Sequence, residues 1–430
     1  MAEQSVYWDE EVLHIGIAAA SALPKTVDIA IIGGGYTGMA TAIHLARAGR
    51  QVAVFEAGEI GTGCSARNGG MVGPSFHKLG TQGLIARYGE TKTLALLREG
   101  LNALDYFEDF LREENLDCDF RLAGRFRGSR TQADYEVQAR EGDWLKQNLG
   151  LPFDMIPKSE QRSEIGSDFY KGGGVYHRDG GVQPRTLLAA LARCAEKAGA
   201  LLFPNCAVEN MQKDREGTIL KTRAGQVTAT EVVVATNAYS DRRTSAMHKR
   251  IVRIDTGAVA TEPLAPELMR ELSPKGRTFG ESGRIFMWFR PTPDMRRFIF
   301  GGRMGRPGGD AQQRANAVRA SMLRVFPQLD HVGFSHVWSG NVAYTGDHAP
   351  HIGREDGVWL AGGYCGSGVT RSVYFGMKLA RKILGQRHSD TAFDDLPFSP
   401  LPFRPFAEFG AKVLTKWYVW QDARDLRSRQ

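Results

Sequence analysis

The alternation of apolar and polar positions near the start of the chain predicts a strand, a helix and a second strand in close succession. Residues 27–32 form a short apolar run, and residues 51–55 form another. Between them, residues 37–48 carry apolar side chains at helical spacing, which places an apolar stripe along one face of a helix. That stripe consists of Met39, Ala42, Ile43 and Ala46.

Further helices are predicted where apolar residues recur at helical spacing, over residues 91–115, 132–149 and 311–325. A proline in the first turn favours another helix, which begins near Pro184 and ends before Gly199. The helix at residues 311–325 interrupts a region with a different pattern, so the helical segments do not belong to one continuous block of the chain.

The middle of the chain, from about residue 250 to 340, is rich in strand-forming residues. The stretches RIFMWFRP and RRFIFGGRM are bounded by glycine and proline, which is typical of antiparallel sheet. Residues 357–384 then repeat the opening order of strand, glycine-rich turn and helix. The predicted fold class is therefore α/β (α+β overall), with a Rossmann-type domain and an interleaved antiparallel-sheet domain.

Composition and charge narrow the functional classes. The chain has 430 residues, of which 42% are hydrophobic and 24% charged, as expected of a globular protein. Its formal charge of +7 is spread along the chain, whereas nucleic-acid binding needs a concentrated basic patch. The five cysteines form no C-x-x-C pair, so neither a metal site nor a disulfide framework is expected. Because no apolar run reaches membrane-spanning length, we expect a cytoplasmic protein. Because the basic residues form no concentrated patch, we expect no nucleic-acid partner.

The turn between the first predicted strand and helix has the spacing G-x-G-x-x-G. Gly33 permits the tight turn, Gly35 lets backbone N–H groups approach a pyrophosphate, and Gly38 lets the helix pack close to the strand. Glu56, at the end of the second strand, stands where an acid accepts a hydrogen bond from a ribose hydroxyl. The motif predicts a bound dinucleotide, but alone it does not separate NAD from FAD.

The stretches further along the chain indicate which dinucleotide it is. GTGCSARNGGMV, at residues 61–72, stands where a nicotinamide domain would continue into another helix and strand. Together with VVVATNAYS, GGVYHRDGGVQPRTLLAALARCAEKAGA, WSGNVAYTGDHAPHIG and LAGGYCGSGVTRS, it resembles the D-amino-acid-oxidase-like family of FAD oxidoreductases. The resemblance is collinear over about residues 27–385, and the S-x-R-N-G-G pattern is most similar to the γ-glutamylputrescine oxidase group.

The resemblance implies which residues would contact FAD. Gly33, Gly35 and Gly38 would face its pyrophosphate, and Glu56 its adenosine ribose. The path from the pyrophosphate to the isoalloxazine ring would be lined by Ser65, Arg67, Asn68, Gly70 and Met71. Val208 would contact the adenine edge, and Ala235 and Thr236 would lie near the cofactor where the middle sheet leaves the domain. The flavin C2 carbonyl would be contacted by Gly366, Gly368, Val369 and Thr370.

The order of helical and strand-rich segments also divides the chain into domains. The predicted FAD-binding domain is discontinuous and is interrupted twice by the substrate domain. An arm precedes these domains and a tail follows them. The FAD-binding domain comprises residues 27–90, 155–245 and 340–390, the substrate domain 91–154 and 246–339, the N-terminal arm 1–26, and the C-terminal tail 391–430.

Two departures from the family pattern bear on the cofactor link and the substrate. Some relatives tether FAD through a histidine where this chain has Arg67, so non-covalent FAD is predicted, although Cys365 lies near another tethering position. In glycine-oxidase-like members, an arginine shortly before the D-x-x-P-x-I-G motif holds the substrate carboxylate. Here Val342 or Ala343 takes that position. A secondary amine or a γ-glutamyl-type amine therefore fits better than a simple α-amino acid.

The predicted activity is oxidation of a C–N bond by hydride transfer to flavin N5, which gives an imine that hydrolyses. Oxygen or another electron acceptor would reoxidise the flavin. The alternatives are an FAD-dependent dehydrogenase or oxidase of an amino acid or a 2-hydroxy acid, and a flavoprotein subunit of a larger oxidase complex. Asp179 lies in a predicted turn and is given no role, and no residue is assigned a catalytic role. The candidates for the substrate pocket are Trp288, Arg290, Arg303, Tyr364 and His348.

Overall fold

Two eight-stranded sheets form the framework of the molecule. The computed structural model describes residues 5–10, 12, 14–74, 79–285, 287–302 and 311–427. The strands are β1 (Thr26–Ile32), β2 (Val52–Phe55), β3 (Met71–Val72), β4 (Arg125–Gly128), β5 (Phe153–Pro157), β6 (Gly172–Tyr176), β7 (Gly180–Gly181), β8 (Leu201–Phe203), β9 (Val208–Asp214), β10 (Gly217–Thr222), β11 (Gly225–Val234), β12 (Val252–Thr261), β13 (Thr278–Glu281), β14 (Met287–Pro291), β15 (Phe298–Gly302), β16 (Phe334–Tyr344), β17 (His351–Glu355) and β18 (Val358–Gly362). The α-helices are α1 (Tyr36–Arg47), α2 (Gly80–Tyr88), α3 (Glu90–Glu113), α4 (Gln132–Leu149), α5 (Pro184–Lys197), α6 (Ser245–His248), α7 (Pro266–Leu272), α8 (Ala311–Val325), α9 (Val369–Ile383) and α10 (Arg404–Arg427).

The first sheet has the strand order β17-β18-β11-β1-β2-β8, and β10 and β9 extend from β11. The central strand β1 pairs in parallel with both β11 and β2. Successive side chains of a strand point to opposite faces, so Ile29 and Ile31 join the core that contains helices α1, α5 and α9, whereas Ala30 and Ile32 join the core on the other face. Both faces of β1 are buried from residue 29 onwards, which explains the apolar run at residues 29–32.

The second sheet has the order β16-β12-β15-β14-β13-β4-β6-β5. Its pairs are antiparallel except for the parallel pair of β13 and β4. On β14, Met287 and Phe289 are buried in a core shared with helix α8, while Trp288 packs on the opposite side. A Rossmann-type sheet and a largely antiparallel sheet are thus combined, and the predicted fold class is confirmed.

The strand pairing places some segment boundaries differently from those predicted. Strands β5 and β6 belong to the second sheet, although residues 155–176 were assigned to the FAD-binding domain. Strand β16 also stays in the second sheet past the predicted boundary at residue 340. Helix α3 was assigned to the substrate domain, but it packs on α9, which was assigned to the FAD-binding domain. These pairings join residues far apart in the chain, so local periodicity gives no signal for them.

Both ends of the chain contain structure that the sequence pattern did not predict. Residues Tyr7–Asp9 form a short 3-10 helix, and the indole of the fully buried Trp8 donates a hydrogen bond to the Asn68 carbonyl oxygen at 2.8 Å. The tail contains the long helix α10, with Trp417 and Trp420 about half exposed. Within the described ranges, no helix is both long enough and apolar enough to cross a bilayer.

Helices α1 and α9 approach each other closely because Gly376 has no side chain. A Cβ at Gly376 would lie 2.5 Å from the Ala40 Cβ and 2.8 Å from the Thr37 carbonyl oxygen. We expect Gly376→Ala to lower the free energy of unfolding by about 1–3 kcal/mol through this overpacking. The matched control is Gly410→Ala in α10, where a Cβ would meet no atom within 4 Å. The control should stabilise by up to about 1 kcal/mol through helix propensity.

Thermal and urea unfolding of the two variants beside the wild type provide the measurement. Equal stability of Gly376→Ala and the wild type would contradict the close packing of α1 against α9 that the rest of the site depends on.

Candidate active site

A cavity of about 580 Å³ is lined by residues of both sheets. The turn at Gly33, the Glu56 side chain and Val208 line the part formed by the first sheet. Trp288 of β14 and Val342 of β16 line the part formed by the second sheet. The cavity is therefore long enough to contact the end of a nucleotide-type strand–turn–helix and the face of the antiparallel sheet together.

The glycine turn after β1 has the geometry that its spacing predicts. Gly33 has a φ of +110°, and a Cβ there would lie 2.9 Å from the Ala235 carbonyl oxygen. A Cβ at Gly38 would lie 2.0 Å from the Gly33 carbonyl oxygen, so only glycine allows α1 to start this close to β1. Gly35 is the N-cap of α1, and the Ser65 hydroxyl oxygen accepts the Tyr36 N–H at 3.1 Å.

Glu56 holds the glycine turn from the end of β2. Its Oε2 accepts the Gly34 N–H at 2.8 Å, and its Oε1 accepts the Gly58 N–H at 3.3 Å. A carboxylate that accepts backbone N–H groups fixes both loops while still presenting oxygen atoms to the cavity. Glu56 therefore lies beside the glycine turn, as its position in the sequence predicted.

A second helix N-terminus opens into the same cavity. Gly366, with a φ of +92°, leads into α9, whose N-cap is Gly368. The Tyr364 and Thr37 hydroxyls are hydrogen-bonded at 2.7 Å, and this bond joins the segment before α9 to the first turn of α1. Burial raises the pKa of Tyr364, so its hydroxyl remains protonated and available for this bond.

The wall formed by the second sheet is largely apolar and rigid. The Trp288 ring lies between two glycines, because a Cβ at Gly69 or Gly301 would fall within 2.6 Å or 2.1 Å of the ring. The Trp338 indole donates a hydrogen bond to the Arg67 carbonyl oxygen at 2.9 Å. Val342 completes this wall, whereas Ala343, the next residue of β16, is fully buried in the core behind the first sheet. Alternation along the strand therefore selects Val342 as the residue that faces the cavity.

An ion pair that the sequence analysis missed also lines the cavity. Arg125 Nε lies 3.0 Å from Asp179 Oδ2, and the Asp179 side chain is 6% exposed. Burial raises the pKa of the Asp179 carboxyl, and the charge of Arg125 opposes that shift. For this ion pair the sequence indicated only the turn around Asp179, because Arg125 begins a strand far away in the chain.

Most of the residues predicted to contact FAD line this cavity. Three others support its wall from behind: Gly38, Gly70 and Thr370, whose hydroxyl donates to the Gly73 carbonyl oxygen at 3.2 Å. The residues in the wall itself are Gly33, Gly35, Glu56, Ser65, Arg67, Asn68, Met71, Val208, Ala235, Thr236, Gly366, Gly368 and Val369, together with the pocket candidates Trp288 and Tyr364.

The other three pocket candidates are not in this wall. Arg290 is buried, and its guanidinium donates to the carbonyl oxygens of Gly70 and Val182, each at 2.9 Å. Burial lowers the pKa of Arg290 to about 10. These bonds fix the loop before β3, so we replace its predicted role as a substrate ligand with a structural one. His348 stacks edge-on against Tyr344 outside the wall, and Arg303 lies outside the described residues.

Cys365 also lines the cavity, and His351 is the first residue of β17. Among the described residues, no group of three or more His, Cys, Asp or Glu is arranged to hold a metal ion. Cys365 is buried, and its thiol lies 3.1 Å from the Gly363 carbonyl oxygen. His351 bonds to Asp347 at 3.1 Å and stacks on Phe398, so this pair is part of the packing of the loop before β17.

Comparisons with known proteins agree with this geometry. A family described as FAD dependent oxidoreductase (DAO) matches residues 28–382. Gamma-glutamylputrescine oxidoreductase of Escherichia coli (strain K12) is 30% identical over 393 residues, which cover 90% of this chain and 91% of that protein.

Solved structures share the fold. The crystal structure of glycine oxidase from Geobacillus kaustophilus has a TM-score of 0.72 at 23% identity and covers 88% of this chain and 99% of its own. L-proline dehydrogenase from P. horikoshii has a TM-score of 0.71 at 20% identity and covers 86% and 97%. Since the family match spans most of the sequence, the chain belongs to the family of FAD dependent oxidoreductases, and FAD is its cofactor.

Proposed function

We propose that this enzyme oxidises a C–N bond of a secondary or γ-glutamyl-type amine, with FAD held non-covalently in the cavity. The observation that carries the proposal is the apolar side chain of Val342 in the cavity wall, near the position where glycine-oxidase-like relatives have a carboxylate-binding arginine. Bound FAD supplies the two-electron acceptor for this oxidation. The similarity to gamma-glutamylputrescine oxidoreductase supports the same class of substrate.

The donor set of the cavity fits FAD. Both helices that open into it, α1 and α9, have a glycine N-cap, which brings no capping side chain to cover the first backbone N–H groups. A helix N-terminus favours negative charge. We assign the N-terminus of α1 to the pyrophosphate, with Ser65 and Glu56 beside it, and the N-terminus of α9 to the C2 carbonyl side of the flavin.

The second-sheet wall suits an amine that reacts in its neutral form. Trp288, Trp338 and Val342 present mainly apolar surface, and removing water from an ammonium group favours loss of its proton. The neutral nitrogen keeps the lone pair that hydride loss from the neighbouring carbon requires. These residues orient the substrate and exclude water, and the imine product hydrolyses to a carbonyl compound and an amine or ammonia.

We place the enzyme in the cytoplasm, where oxygen or another acceptor reoxidises the flavin. The cysteines Cys64, Cys118, Cys194, Cys206 and Cys365 are all free thiols in the structure, as is usual in a reducing compartment.

The glycine turn provides the first test. In Gly35→Val, the Cβ alone would lie 2.8 Å from the Ser65 hydroxyl oxygen. The two methyl groups that the Cβ carries would occupy the position assigned to the pyrophosphate. We expect the purified variant to be colourless, with FAD affinity reduced at least 100-fold, which corresponds to about 2.7 kcal/mol. Fluorescence titration with FAD measures this. A yellow variant with one FAD per chain would contradict the assignment.

The link to FAD provides the second test. Arg67 cannot form the bond that a histidine forms in tethered relatives, and the Cys365 thiol is engaged with the Gly363 carbonyl oxygen. After acid precipitation we expect all of the flavin absorbance in the supernatant and none in the pellet. A pellet that stays yellow would show a covalent bond and overturn this part of the proposal.

The substrate class is tested by anaerobic mixing of the holoenzyme with single compounds while the flavin absorbance is recorded. The panel comprises γ-glutamylputrescine, simple polyamines, N-methyl amino acids, D- and L-amino acids and 2-hydroxy acids. We expect an amine without an adjacent carboxylate to reduce the flavin at least tenfold faster than any α-amino acid. If only α-amino or 2-hydroxy acids reduce it, the substrate class proposed from Val342 is wrong.

A further inference from the structure

The Arg125–Asp179 pair is a charged feature of the cavity that the proposed function leaves unexplained, and its aspartate is buried. Arg125 is the first residue of β4, and Asp179 lies in the turn before β7. The Asp179 side chain contacts the Gly73 backbone, because a Cβ at Gly73 would lie 2.7 Å from the Asp179 carboxyl carbon. Both charged groups line the cavity on the side where the second sheet meets β3.

The charge of the Asp179 carboxylate is paired, but its hydrogen bonds are incomplete. Its Oδ2 faces Arg125 Nε at 3.0 Å, but its buried Oδ1 accepts no hydrogen bond from any described residue. A buried acceptor without a donor is costly, and native proteins usually satisfy such atoms. Because Asp179 lines the cavity, a donor that the ligand brings can complete the hydrogen bonds of this carboxylate, and a cation is the strongest such donor.

The Arg125 guanidinium offers the complementary half of the site. It has five N–H donors in a planar fork; its side chain forms the ion pair with Asp179 and lies 5.1 Å from the Tyr176 ring centroid. The side chain is 27% exposed, so part of the fork remains accessible from the cavity. A carboxylate is the group that this fork binds most specifically.

We propose that Arg125 and Asp179 form a dipolar subsite for a free α-amino-acid head group, at the end of the substrate opposite to the amine that is oxidised. The α-carboxylate of the head group binds Arg125, and its α-ammonium donates to the Asp179 carboxylate. The two groups of an α-amino acid are adjacent and carry opposite charges. They therefore match a neighbouring arginine and aspartate, with the carboxylate at the arginine and the ammonium at the aspartate. The inference rests on the proposed function and identifies the γ-glutamyl end as the part of the substrate that is recognised.

The first experiment needs no variant. Four putrescine amides of equal reach are compared as substrates of the wild-type holoenzyme by anaerobic flavin reduction: the γ-glutamyl, the glutaryl, the 4-aminobutyryl and the butyryl compounds. They carry respectively both head-group charges, the carboxylate only, the ammonium only, and neither. We expect kcat/KM to fall by roughly 10- to 100-fold when either charge is removed, as for loss of a charged hydrogen bond.

Two conservative variants then assign each charge to its residue. Asp179→Asn should lower kcat/KM for the γ-glutamyl and 4-aminobutyryl compounds and leave the glutaryl compound unchanged. Arg125→Gln should lower it for the γ-glutamyl and glutaryl compounds and leave the 4-aminobutyryl compound unchanged. Both effects should appear in KM rather than kcat, since the head group lies away from the reacting carbon.

A binding measurement supplies a readout other than turnover. L-γ-glutamylbutylamide has the head group but lacks the terminal amine whose oxidation is proposed, and calorimetry of the holoenzyme should show its affinity reduced at least tenfold in each variant. The matched control is Arg162→Gln, which disrupts an Arg–Asp pair at the exposed Arg162 and Asp168 and should change nothing. Thermal unfolding and flavin absorbance verify that the variants are folded and loaded.

The outcomes separate this inference from the function on which it rests. If the wild type oxidises all four amides with equal kcat/KM, the dipolar subsite is wrong and the amine oxidase remains. If none of the four reduces the flavin, the γ-glutamyl-type substrate of the proposed function is wrong, and the calorimetric titration still decides whether the head group binds at this pair. Failure of either variant to fold leaves the wild-type series as the deciding result.

Discussion

The structure depends on the close packing of α1 against α9, which brings two uncapped helix N-termini to one cavity. Gly376 removes the side chain that would separate the helices, and the Tyr364–Thr37 hydrogen bond fixes the segment before α9 to the first turn of α1. Since each helix starts at a glycine, neither N-cap has a side chain that covers the first backbone N–H groups, and of these the Tyr36 N–H donates to the Ser65 hydroxyl. A cofactor with a pyrophosphate at one point and a flavin at another is complementary to this arrangement.

The second sheet supplies the other half of the site through the two-residue period of its strands. Along β14, Phe289 faces the core under α8 while Trp288 faces the cavity, and along β16 the same alternation selects Val342. The N-terminal segment supports this wall from outside the sheet. Trp8 holds the Asn68 carbonyl oxygen and lies beneath Arg290, whose bonds fix the loop before β3.

Local patterns in the sequence were sufficient for the features that lie within one strand–turn–helix unit. The roles of Gly33 and Gly38 in the turn and the position of Glu56 follow from spacing alone, and the structure shows the close contacts that their roles require. The assignment of strands β5 and β6 to the second sheet did not follow, because pairing across the chain leaves no local periodic signal. For the same reason Arg125 and Asp179 had no visible connection until the fold brought them together.

Arg290 shows a different limit of sequence reasoning. An arginine among strand-forming residues fits either a ligand site or a network of backbone carbonyls, and only the positions of the Gly70 and Val182 carbonyl oxygens decide between them. Helix α10 shows a third limit. Its apolar residues, including Trp417 and Trp420, are largely exposed, so they do not form the buried stripe by which amphipathic helices are recognised.

The measurement that tests the central claim most directly is a crystal structure of the yellow holoenzyme. The account predicts FAD in the cavity, with the pyrophosphate at the backbone N–H groups that begin α1 and the flavin C2 carbonyl at those that begin α9. The flavin ring should lie between α9 and the wall that contains Trp288 and Val342. A pyrophosphate bound away from Gly35, or a flavin that does not reach Gly368, would contradict it.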